Sequence, residues 1–132
     1  MSRIETREHV LKFIYQNNFR QEELNVQMED FKARFTEVED DYDYFSSVVK
    51  GLIENKEDLD SKIIPFLKNW KIERLPILER AIMEIAVFEI LNCEDIPTSV
   101  SINEAVKLAK KYGNDKSSSY INGVLSNFEK SL

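Results

Sequence analysis

Residues 77–91 constrain the fold of this chain more than any other segment. Eleven of these fifteen residues are apolar: Ile77, Leu78, Ala81, Ile82, Met83, Ile85, Ala86, Val87, Phe88, Ile90 and Leu91. The run contains no glycine or proline, and its apolar positions wrap around more than one face of a 3.6-residue helix. A helix of that kind needs neighbours on several sides and belongs at the centre of a helical fold. It is too short, and too rich in glutamate, to span a bilayer. Pro76 stands where its missing N–H costs least, in the first turn.

The flanking segments supply the neighbours. Val10, Leu11, Ile14 and Tyr15 form one stripe of an opening helix, with Ser2 and Glu5 at capping-box spacing. Leu24, Met28, Phe31 and Phe35 predict a second helix over about residues 21–35. Five acids in residues 37–43 mark a connection and a helix start, where negative charge suits the helix dipole. Phe45, Val48, Val49, Leu52 and Ile53 follow as a third stripe. Leu59, Ile63, Ile64, Phe66 and Leu67 give a fourth, which Pro65 should bend or break. Trp70 is expected to anchor the next segment. Beyond the central helix, Ser101 with Glu104 predicts another capped start, Gly113 a stop, and Ser117 the start of a last helix. Pro76, Pro97 and Gly113 sit between these periodic runs. Gly123 lies inside the last helix and reads as allowing close helix approach. The expectation is an all-α chain of about seven helices over residues 1–132, one compact domain with two small subdomains.

Composition excludes several functions. Cys93 is the only cysteine and His9 the only histidine, so cysteine or histidine zinc clusters are ruled out and a reducing, cytoplasmic setting is expected. No acid–base, nucleophile or metal constellation is visible, so neither an enzyme nor a cofactor is expected. The net charge of −6 disfavours unselective coating of nucleic acid. The acids are concentrated early: residues 1–66 carry 15 acids against 9 bases, whereas residues 99–132 carry five lysines and three acids. Any RNA site must therefore be a local patch.

The order of motifs in the second half resembles the NusB family. The resemblance runs through residues 79–90, ERAIMEIAVFEI; through Ile96-Pro97 and residues 101–113, SINEAVKLAKKYG; and through Ser117 with residues 120–125, YINGVL. Asp43-Tyr44-Phe45, Leu59-Asp60 and Tyr15 extend it upstream. It implies a compact all-helical fold without catalysis or cofactor. It also implies a role in bacterial transcription antitermination, in which the protein pairs with NusE (a small-subunit ribosomal protein), binds boxA RNA and helps RNA polymerase resist termination, notably on ribosomal RNA operons. A related domain fronts certain ribosomal RNA cytosine methyltransferases. These 132 residues hold no glycine-rich cofactor loop and no nucleophilic cysteine motif, which favours the stand-alone adaptor.

The resemblance also implies site residues. Arg3 and Arg7, one turn apart, fall in the family's arginine-rich RNA-binding segment, and both are expected in solvent. Tyr120 matches an aromatic position near the RNA surface, where an exposed ring could stack on a base. Lys116 stands where some relatives have an acid. Tyr15 and Glu79 correspond to the NusE-facing surface, as does Glu84, where a base is common. Family members include monomers and dimers, so a homodimer stays open. Clustering of Arg3, Arg7, Lys116 and Tyr120 points to RNA. Scattered bases with a buried Tyr120 point instead to a protein-only helical adaptor or homodimer.

Overall fold

The computed structural model describes residues 2–68 and 71–132. The expected anchor Trp70 lies outside the described residues. Seven α-helices are present among them: α1 (Arg3–Asn17), α2 (Leu24–Arg34), α3 (Tyr42–Glu54), α4 (Lys56–Ile63), α5 (Ile77–Asn92), α6 (Thr98–Tyr112) and α7 (Asp115–Lys130). Short 3-10 turns occupy Thr36–Asp41, Ile64–Phe66 and Ile72–Arg74. None of the described helices is long and apolar enough to cross a membrane.

The central helix is α5. Every residue from Ala81 to Glu89 is buried, and α5 packs against α1, α3, α4, α6 and α7. Its hydrophobicity on all sides is the direct consequence of being surrounded. An aromatic trio ties the first three helices together. Phe13, Phe31 and Phe45 are in mutual contact, with ring centroids 5.4 to 5.8 Å apart. These pairs add about 0.5–1.5 kcal/mol each beyond simple burial. The α5–α7 half completes the same apolar cluster through Ile102, Leu108, Ile121, Leu125 and Phe128.

Local signals worked where the chain could satisfy itself. Ser2 Oγ accepts the Glu5 backbone N–H at 3.2 Å, so Ser2 caps α1 at the spacing the sequence predicts. Pro65 ends α4, and the chain tightens into a 3-10 turn at Ile64–Phe66. Two helices start earlier than the spacing predicts, α6 at Thr98 and α7 at Asp115. Pro97, with its fixed φ, already opens α6, so Ser101 lies inside the first turn and not at the cap. Asn114 caps α7 by accepting the Ser117 N–H at 2.9 Å.

The close-approach glycine is Gly51 and not Gly123. A methyl group on Gly51 would come within 2.2 Å of the Phe88 ring, whereas one on Gly123 would meet no described atom within 4 Å. The Phe88 ring of α5 sits directly over Gly51 of α3, in space that a side chain there would take.

Candidate RNA and partner interface

The opening helix carries two arginines with opposite fates. Arg3 remains 41% exposed at its side chain, with Nε donating to Asp41 Oδ2 at 2.8 Å and the guanidinium 4.2 Å from the centre of the Tyr44 ring. The hydrogen bond to Asp41 raises its pKa, so it stays a cation. Arg7 corrects the expectation of exposure, being only 3% exposed. One turn further along α1, it points into the junction with α5, where it donates to both oxygens of Glu89 at 2.6 and 3.0 Å.

Glu89 is the hub that sequence reasoning missed. It is fully buried on the central helix and also accepts from Tyr44 Oη at 2.5 Å and Ser101 Oγ at 3.1 Å. Burial works against the Arg7 cation, but the bonds to Glu89 leave its pKa raised. Burial and the Glu89 charge hold Tyr44 protonated. This network joins α1, α3, α5 and α6. A signal was present in the sequence: a glutamate amid an apolar run requires a partner.

Glu84 also departs from expectation. It is 4% exposed and faces α4, not solvent. Its Oε2 lies 3.1 Å from Lys56 Nζ and 3.6 Å from Arg80 Nε. Arg80 in turn donates to Asp60 at 2.6 Å. Burial, then the hydrogen-bonded Asp60 carboxyl, pushes Glu84 up to about 8 against the pull of Lys56. Lys56 and Arg80 flank the buried carboxyl and offset part of the cost of burying it. Glu84 is therefore part of the α4–α5 contact and not of an exposed partner surface.

Three other predicted residues converge. Glu79, Lys116 and Tyr120 line one shallow cleft of about 370 Å³, together with Leu75, Pro76 and Ser117. Ser117 Oγ donates to Glu79 Oε1 at 2.6 Å, fixing the carboxylate at the start of α7. Lys116 is exposed. Tyr120 is half-buried and not freely exposed, and its hydroxyl lies out of water beside the Lys68 backbone. The cleft lies at the N-terminal end of α5. Arg3 and the Arg7–Glu89 network lie toward its C-terminal end, and ten residues of helix separate Glu79 from Glu89, about 15 Å of rise. The four RNA candidates thus fall in two places.

Tyr15 is 44% exposed and touches Phe19, itself 65% exposed, with ring centroids 5.4 Å apart. Tyr15 also shares a groove of about 360 Å³ with Leu11, Lys12, Leu78 and Tyr112. Tyr112 donates to Glu8, which Lys111 also holds at 2.8 Å. Leu78 of this groove is the immediate neighbour of Glu79, so the aromatic groove and the cleft lie close together along α5.

The remaining titratable candidates are packing residues. The His9 ring lies against Phe31 and Phe35, and burial lowers its pKa. Burial, then the Glu89 charge, pushes the Cys93 thiol up, away from the reactive thiolate. Among the described residues, no group of three or more His, Cys, Asp or Glu could hold a metal ion.

Comparison with known proteins places these features in context. The model of the NusB family matches residues 4–130. The transcription antitermination protein NusB of Clostridium novyi (strain NT) is 39% identical over 132 residues, covering 98% of this chain and 99% of that protein. The solved T. maritima NusB has a TM-score of 0.86 and 30% identity, covering 98% of this chain and 92% of that one. A chain in the crystal structure of antitermination factors NusB and NusE in complex with dsRNA covers all of both chains, with a TM-score of 0.85. At 24% identity, that last likeness is one of fold.

Proposed function

Because the chain belongs to the NusB family of transcription antitermination proteins, which are not enzymes, we propose that it is an adaptor that pairs with NusE and binds boxA RNA to keep RNA polymerase processive, notably on ribosomal RNA operons. One observation carries this reading: the partner-side carboxylate Glu79 shares a cleft with the RNA-side pair Lys116 and Tyr120. Protein and RNA surfaces that meet at one cleft allow a bound partner to complete the RNA site.

The roles follow from chemistry. Lys116 supplies a mobile cation for phosphate, and the accessible part of the Tyr120 ring supplies a stacking surface. Arg3 contacts a separate stretch of the same RNA, held in place by Asp41 and Tyr44. Arg7 does not touch RNA in this scheme; it anchors the helix that presents Arg3. Tyr15 offers an aromatic anchor to the protein partner, and Glu79 adds register and specificity. The acidic total charge keeps unassisted RNA affinity low.

A protein-only adaptor, including a homodimer, is the second reading. The half-burial of Tyr120 and the separation of Arg3 from Lys116 favour it. Gel-shift titrations of boxA-like RNA in the presence of NusE separate the two. Under the RNA reading, Lys116→Ala and Tyr120→Ala each weaken the ternary complex while NusE binding persists. Unchanged RNA binding in both variants favours the protein-only reading.

A further inference from the structure

Tyr120 lines a second cleft, of about 300 Å³, on the other helical flank of the proposed RNA surface. Its walls include Phe66 and Lys68 from the segment after α4, and Ser119, Gly123 and Asn127 from α7. We propose that this cleft seats one unstacked base of the bound RNA, an inference that rests on the RNA-binding reading above.

Three observations support it. First, size: about 300 Å³ is at the lower end of ligand pockets and has room for a single base. Second, chemistry: Ser119, Gly123 and Asn127 recur every four residues and so share one face of α7. The Asn127 amide can both donate to and accept from a base edge. Phe66 and Tyr120 offer aromatic surface, and the exposed Lys68 can meet the attached phosphate. Third, Gly123 itself: a glycine weakens a helix interior, yet nothing among the described residues crowds its missing side chain. Helix packing does not require a glycine here. What the glycine does provide is an open cleft floor, which a long side chain would fill.

The continuity through Tyr120 gives the RNA a path. A strand held at Lys116 crosses the Tyr120 ring and places its next base over Gly123, against Asn127.

The test uses the full chain with NusE and boxA-like single-stranded RNAs, each carrying 2-aminopurine at one position. Wild type is expected to change the fluorescence of one position sharply on binding. Gly123→Gln fills the cleft from an open site without touching the core. It should abolish that change and weaken RNA binding roughly ten- to hundred-fold, the loss of one stacked base. Asn127→Ala should weaken binding several-fold with the melting temperature nearly unchanged. RNA affinity within twofold of wild type in both variants, with Lys116→Ala still impaired, would overturn the base-seat proposal and leave the RNA reading standing. Failure of the wild-type protein to bind RNA with NusE would instead overturn the RNA reading, and the base seat with it.

Discussion

Arg7 and Glu89 stand 82 residues apart in sequence and meet through two hydrogen bonds of 2.6 and 3.0 Å, with neither side chain open to water. Removing one partner leaves a buried charge uncompensated, which typically costs ~3–5 kcal/mol. Arg7→Ala should therefore lose several kcal/mol in urea unfolding. Arg3→Ala, acting at an exposed ion pair, should lose roughly 0–1 kcal/mol. Equal losses for the two arginines would contradict the division of labour on α1.

The two mid-helix glycines should respond with opposite signs to alanine. Gly51→Ala drives a methyl group into Phe88 and should destabilise by about 1–3 kcal/mol, since overpacked cores must shift. Gly123→Ala adds a methyl in open space and should stabilise by ~0.5–1 kcal/mol. Chemical denaturation of both variants reads the two signs directly.

Glu84 should make stability fall with rising pH. Its folded pKa is raised to about 8 by burial and by Asp60, so the folded state holds a proton that the unfolded chain releases above roughly pH 4.3. That contribution is complete below the unfolded value and is lost as pH rises through about 8. His9 acts in the opposite sense, because its lowered pKa disfavours the folded state as pH falls through the ordinary histidine range. Comparing melting temperatures of wild type and Glu84→Gln between pH 5 and 8 isolates the glutamate. The variant should show a shallower decline, and identical slopes would contradict the assignment.

Salt dependence separates phosphate contacts from aromatic ones. Each lost phosphate contact with single-stranded RNA should reduce the slope of log K against log salt by ~0.7. Arg3→Ala and Lys116→Ala should each show that reduction. Tyr120→Ala should weaken binding with the slope unchanged, because stacking releases no counterions.

Periodicity made the helices legible, and the all-round hydrophobicity of residues 77–91 identified the central one. Both are local properties. What remained hidden was directional. Arg3 and Arg7 look alike in sequence, but one turn of helix puts the first at the rim and the second against Glu89. Glu84 read as exposed until Lys56, from α4, came beside it in the fold. The capping spacing at Ser101 gave way to Pro97 and to a tertiary bond with Glu89. The open floor at Gly123 and the closed contact at Gly51 depend on what lies across each helix, which no single-residue signal carries.

The most direct test of the central claim is a boxA RNA titration at fixed, moderate salt, with and without saturating NusE. The account predicts weak binding by the chain alone and a large gain in affinity when NusE is present, lost on Lys116→Ala. RNA affinity that is indifferent to NusE, or absent with it, would contradict the account.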